Sequence, residues 1–419
     1  MLQLPSTRKA LLDSGATLLY QRNPFSPTIA FSVYFTRGSR DETSSERGMT
    51  HLLEHMVFRG TKNRSALDIA FTLESIGGQW DAFTSKESTC FHGKVLEDHF
   101  ETLTDVFADI VLNPAIPEDA FRLERRIVQE EIRSVKDSPE EATHELFFES
   151  LFRGHPLGYP ITGYQSDVAK HTRRRLTAFH KKVYAADAAL IGFIGNIPFR
   201  KVAASVEDKF IFPRRGVQPG RRSTTVTSRR RRSLQRPSWK QTHVCIGTTT
   251  VSASSRERHA LGLLANILGG GVSSRFFQSM REETGLVYSV FTQTSFWRDT
   301  GVFWTFFSVD PKNLPQALEI YRHELDQVQR GEISDEEIDS AKAQFKGSII
   351  FGIENIESRL FRLLRSEFYH GRYVTPAEVV RSIERVNRRV LTDVARRYLD
   401  GNRLTYVSQG PATLKKLVP

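Results

Sequence analysis

At 419 residues, with 39% hydrophobic and 26% charged residues, the chain has the balance of a folded globular protein and is too long for one ordinary core, so two or more domains are expected. No stretch approaches the ~18 apolar residues of a membrane span, and the two cysteines, Cys90 and Cys245, exclude a disulfide framework and lack metal-ligand spacing, so a reducing, cytoplasmic setting is expected. The formal charge of +11 suggests nucleic acid as a partner, but nine Arg, one Lys and no acidic residue fall between Pro213 and Lys240, which leaves about +1 for the remainder.

The N-terminal stretch carries Arg8 and Lys9 but no apolar core of signal-peptide length, and it alternates into a strand at 16–20. A second strand is expected at 29–35. A helical pattern follows near 44–59, where Thr43-Ser44-Ser45-Glu46 reads as a capping box and Gly60 as the stop. Residues 82–84 read as an exposed edge strand, and Pro117 to Ser134 as a helix. The Pro-, Gly-, Ser- and Arg-rich segment 213–240 has no period and reads as a basic flexible linker between halves 1–212 and 241–419. The second half repeats the order, with a strand at 243–247 and helical patterns at 256–267 and 315–330. An α+β fold is expected, with two similar halves arising by duplication. Each would be an antiparallel sheet with helices layered on one face.

Chemistry concentrates in the first helix. His51 and His55 are four apart and leave one face a turn apart, and Glu54 shares that face. Two imidazoles can grip Zn²⁺ while a neighbouring carboxylate handles a proton of metal-activated water. The order His-x-x-Glu-His is a zinc-peptidase signature. The competing reading is a solvated helix, but Leu52, Leu53, Met56, Val57 and Phe58 surround the trio, and polar groups at a half-buried face need partners. A third ligand is sought on the 117–134 helix. Glu124 and Glu131, seven apart, share a face there, while Glu130 points about 100° away. The plainer reading of those glutamates is a water-facing helix paired with Arg125 or Arg126.

Several motifs then fall in a familiar order. The run Gly38 to Glu42 and the run Gly48 to Thr61 closely resemble the pitrilysin-type metallopeptidases, in particular the branch of the mitochondrial processing peptidases and their bacterial relatives. The resemblance continues through Gly77-Gly78, Ala82 to Glu87, Glu130-Glu131-Ile132, Asp137 to Glu140, Leu157-Gly158, Gly269 to Arg275 and Arg281 to Tyr288. It implies one zinc per chain held by His51, His55 and Glu131, with Glu54 as general base and Glu124 behind a ligand. It also implies that Arg281 and Tyr288 are the second half's contribution to catalysis, and that Asp81, Ala82 and Phe83 bind substrate by strand addition. Asp81 stands where relatives commonly have Asn, a departure that could favour basic substrate residues.

The resemblance further implies a clamshell enclosing a chamber, unfolded peptides or presequence-like segments as substrates, and pairing of chains, most simply as a homodimer with no membrane partner. Two rivals stand beside this zinc endopeptidase. One is a non-catalytic scaffold relative, although all the named residues are retained. The other is a nucleic-acid module on Arg229 to Arg232, disfavoured because only Trp239 offers stacking there.

Overall fold

The computed structural model describes residues 6–212 and 231–414. Strands β1 (Thr7–Leu11), β2 (Thr17–Arg22), β3 (Thr28–Phe35), β4 (Gln79–Thr84), β5 (Thr89–Leu96) and β6 (Ala189–Gly195) form a six-stranded sheet in the order β1-β2-β6-β3-β5-β4. Strands β7 (Arg231–Gln235), β8 (Thr242–Thr250), β9 (Val287–Phe296), β10 (Gly301–Val309) and β11 (Thr405–Gly410) form a five-stranded sheet in the order β7-β11-β8-β10-β9. Each sheet is antiparallel apart from one parallel pair, β2–β6 in the first and β7–β11 in the second. Hairpin neighbours must run antiparallel, whereas strands far apart in sequence and joined through helices are free to pair parallel.

Strand β3 shows why the first sheet is covered on both faces rather than the expected one. Ile29, Phe31, Val33 and Phe35 join one buried cluster with Leu52, Leu53, Met56 and Phe107, while Ala30 and Tyr34 join another with Leu360, Leu363, Leu364 and Phe368. Successive side chains point to opposite faces, so a strand apolar at both parities needs a layer on each side. The second layer is the helix Ile356–His370, started by Asn355, whose side chain accepts from Ser358 N at 2.9 Å. Its apolar positions recur at i, i+4, i+7 and i+8, one stripe of a helix. Gly192 on β6 makes room for it, because a Cβ there would overlap Leu360.

The chain divides into two compact units, neither of them continuous in sequence. The first takes residues up to Ser134, those from Tyr159 to the end of the first half, and Gly352–Val374. The second takes Val135–Gly158, the second half up to Phe351, and everything from Thr375 on. In the second unit the helix Pro139–Leu151 packs Leu146, Phe147 and Leu151 against Cys245, Trp304, Phe306 and Val407 of the second sheet. Gly247 on β8 leaves space for the Phe147 ring.

The expected linker is shorter than 213–240. Residues 213–230 lie outside the described residues, but Arg231–Gln235 is β7, an outer strand of the second sheet. Its arginines concealed it, yet charge on a solvent-facing edge is compatible with a strand and discourages unwanted pairing. Among the described residues, no helix is long and apolar enough to cross a membrane.

Candidate metal centre

The helix carrying the two histidines runs Met49–Val57, shorter at its start than the expected 44–59. Thr43 and Glu46 do exchange bonds, Thr43 N donating to Glu46 Oε2 at 2.9 Å, but they close a turn ahead of the helix. The cap comes from Glu42 instead. Its buried carboxylate accepts from Gly48 N at 2.9 Å and Thr50 N at 2.7 Å, satisfying amides that a helix start leaves unpaired. Burial pushes this carboxyl up to about 8, against the pull of those amides. Met49, Leu52, Leu53, Met56 and Val57 are buried in the first unit's core, so His51, Glu54 and His55 are turned the other way and stay half-buried.

The helix Glu118–Asp137 lies opposite, anchored by Phe121, Val128 and Ile132. Glu124 and Glu131 leave its same side and meet the histidines. Glu131 Oε1 is 3.7 Å from His55 Nε2, and Glu131 Oε2 is 3.8 Å from His51 Nε2. The imidazole rings stand 4.6 Å apart, centre to centre. Potential ligand atoms of His51, His55 and Glu131 all lie within 4.8 Å of one another, and among the described residues no other group of His, Cys, Asp and Glu does so. Glu130 is turned outward onto Arg133.

The donor set fits zinc. At 3.7–3.8 Å the carboxylate is too far from either imidazole for a hydrogen bond, so neither contact satisfies the nitrogens directly. Ligands each ~2.0–2.2 Å from a tetrahedral ion would lie about 3.4 Å apart, close to this spacing. Two imidazoles and one carboxylate match the protein ligands of a catalytic zinc site in composition.

Charge around the histidines prepares them differently. Burial, and next to it the neighbouring His55, lowers His51 to about 4, so at neutral pH the ring is uncharged and one of its nitrogens holds a lone pair. His55 is also subject to burial, but the bond to Glu124 and the charges of Glu131, Glu124 and Glu54 outweigh that and raise it. Glu124 is 1% exposed, and its Oε2 lies 2.9 Å from His55 Nδ1. Burial would raise Glu124, yet the bond to His55 and the charge of Arg59 hold it below the usual carboxylate range. An ionised carboxylate only accepts, so Nδ1 of His55 carries the proton, and in the neutral ring Nε2 holds the lone pair that a metal needs. Arg59 Nη2 reaches the other oxygen of Glu124 at 2.6 Å.

Glu54 faces β4, where Thr84 Oγ1 donates to its Oε2 at 2.6 Å. Burial raises Glu54, with Asp81 and Glu131 adding to the rise, while Thr84 and His55 pull the other way. Beside Glu54 and His55 opens a pocket of about 370 Å³ with Phe58, Ile69, Trp80 and Ala82 in its walls and Arg59 at its side. Of the three β4 residues expected to meet substrate, Ala82 is half-buried toward the metal helix, while Asp81 and Phe83 are exposed.

Arg281 and Tyr288 lie together in the second unit. The guanidinium sits 5.7 Å from the Tyr288 ring and 4.9 Å from that of Phe277, and Tyr288 is 74% exposed at the start of β9. Three contributors to the centre have no role in the sequence reading. Arg59 follows His55 by four residues, which was a usable signal. Thr84 lay inside the edge strand, but nothing local pointed it at Glu54. Glu42 caps a helix that begins seven residues later, beyond any capping spacing.

Residues 17–165 match the sequence family Insulinase (Peptidase family M16), and residues 170–345 match Peptidase M16 inactive domain. A Mycobacterium tuberculosis protein named an uncharacterized zinc protease is 33% identical over 416 residues, covering 98% of this chain and 95% of that one. A Bacillus subtilis protein with the same description is 32% identical over 385 residues, covering 92% and 93%. Among solved structures, a protease from Helicobacter pylori has the same fold, with a TM-score of 0.90 at 22% identity over 98% of this chain and 100% of that one. By descent and by fold, the chain belongs to peptidase family M16, the insulinase family.

Proposed function

We propose that the chain is a zinc-dependent endopeptidase that cleaves unfolded, extended peptides. The observation that carries the proposal is the placement of Glu54 on the same helical face as His51 and His55, with Glu131 brought to both histidines and Thr84 holding Glu54 from an edge strand. His51, His55 and Glu131 would hold the ion. Zinc bound there supplies Lewis acidity, making water nucleophilic near neutral pH and polarising a carbonyl.

The chain's own groups do the rest. Glu124 fixes the tautomer and orientation of His55. Glu54, raised by burial yet bonded by Thr84, takes a proton from the attacking water and delivers it to the departing amine. The outer edge of β4 supplies backbone groups for an extended peptide, and the adjoining apolar pocket takes one of its side chains. Arg281 and Tyr288 are proposed as hydrogen-bond donors to the peptide carbonyl. The proposal includes two copies of the chain working as a homodimer, which light scattering on the purified protein would test.

The central experiment is digestion of a mixed pool of unfolded peptides by zinc-loaded protein with Glu54→Gln in parallel. Cleavage by the wild type and a loss of about 10²–10⁴-fold in the variant, with zinc retained in both, supports the reading. Zinc binding without cleavage in either protein refutes it and favours a scaffold role.

A further inference from the structure

Strand β4 is the outer strand of the first sheet, so one row of its backbone groups has no strand partner among the described residues. The hairpin identifies the row. Ser85 N donates to Ser88 O at 2.7 Å, which makes these two a hydrogen-bonded pair. Bonded and non-bonded pairs alternate along an antiparallel ladder. Phe83 with Cys90 and Asp81 with His92 are therefore bonded pairs, and the N–H and C=O of Trp80, Ala82 and Thr84 point out of the sheet. The side chains of those same three residues face the metal helix. The Trp80 ring stands 5.0 Å from that of Phe58, Thr84 bonds Glu54, and Ala82 lines the pocket with Glu54 and His55. A peptide strand laid along this edge would pair at Ala82 and pass the candidate metal centre.

The amide of Ala82 is already engaged. Asp81 Oδ1 accepts from Ala82 N at 2.8 Å, although the Asp81 side chain is otherwise exposed. Its carboxylate therefore occupies the position that the carbonyl oxygen of an incoming strand must take. Two acceptors cannot both hold one N–H at full strength. We infer that Asp81 guards this edge, closing the Ala82 amide until the backbone of an extended peptide displaces it, and so sets which peptides the site admits. The inference rests on the reading of β4 as the peptide-docking edge. Unpaired edges are places where stray strands add, and a charged residue turned onto the edge is one way to prevent that. A long extended peptide also gains pairing at Trp80 and Thr84 and can offset the displaced bond. A short or bent one cannot, so Asp81 selects for length and extension.

The test separates the inference from the reading beneath it. Binding of a fluorescein-labelled, uncharged, proline-free peptide to zinc-loaded Glu54→Gln protein is followed by polarisation, alone and combined with Asp81→Ala or Asp81→Glu. Removing an exposed bond to a charged acceptor is expected to tighten binding by roughly three- to tenfold. Asp81→Glu keeps the charge but moves the carboxylate one methylene farther out, so it should tighten binding as Asp81→Ala does. Unchanged or weaker binding by Asp81→Ala overturns the inference. So does wild-type affinity in Asp81→Glu, which would mean that bare charge and not the amide contact is responsible. Peptide binding by none of the proteins overturns the edge-docking reading and the inference with it.

Discussion

Replacing Glu124 with Gln changes almost nothing in shape and should nevertheless weaken zinc binding by about 10–100-fold, or roughly 1.4–2.7 kcal/mol. The reason is a mismatch of donors. One oxygen of the carboxylate lies 2.9 Å from His55 Nδ1 and the other is ion-paired with Arg59 Nη2 at 2.6 Å, in a position only 1% exposed. A carboxamide has one acceptor and one donor group, so it can serve either His55 or Arg59 but must turn its NH₂ toward the other. If His55 loses its acceptor, its ring is free to rotate or change tautomer, and Nε2 no longer presents a fixed lone pair. If Arg59 loses its partner, its side chain is 42% exposed and can be resolvated, so that outcome is the milder one. The competition of a chromogenic chelator for zinc at constant pH gives the dissociation constants, and circular dichroism verifies the fold of both proteins. A zinc affinity within about twofold of wild type would refute the reasoning, because His55 would then need no fixed tautomer to serve as a ligand.

Thr84→Val removes the hydroxyl that donates to Glu54 at 2.6 Å, a bond that holds the Glu54 pKa down. Its loss raises the carboxyl further, so the acid limb of the kcat/KM profile should move to higher pH; an unmoved limb would show that Glu54 is not the titrating base. His144 is held down to about 4, first by burial and then by His243, within the aromatic cage of Phe291, Trp304 and Phe306. Its folded pKa lies below the ordinary 6.5, so the unfolded chain binds more protons between those values and stability falls as pH drops through that window, by up to about 1.4 kcal/mol per pH unit. Urea unfolding of wild type and His144→Phe at pH 7 and pH 5 should show a smaller acid loss in the variant; equal losses would contradict the assignment. Gly48→Ala forces a side chain onto a residue with φ +81 at the start of the metal helix, against the carbonyl of Thr162. The backbone alone should cost about 1–2 kcal/mol, read from denaturant midpoints, with weaker zinc binding as a second sign.

Much of the centre was legible because it depends on helix geometry alone. His51, Glu54 and His55 share a face at any place in any fold, and seven residues bring Glu131 back beneath Glu124 whatever the helix packs against. The strand at 28–35 and the helices at 257–269 and 314–330 also follow from local apolar period. Periodicity does not identify the partner of an apolar stripe, so it was silent on which sheet the helices Pro139–Leu151 and Ile356–His370 cover. The glycines that admit them, Gly192 and Gly247, look like ordinary strand residues until the opposing Leu360 and Phe147 are in place.

By itself, then, the sequence determined the candidate ligand types, their spacing and the carboxylate of Glu54 beside them, since these are properties of residues a few positions apart on one helix. Only the tertiary structure decided that Glu131 reaches both histidines, that Arg59 and Glu124 stand in line behind His55, that Glu42 and not Thr43 caps the metal helix, and that Asp81 folds over the outward amide of Ala82. Each of those contacts depends on how a side chain or an edge lies in space once the sheet and its helices have packed, which spacing along the chain does not encode.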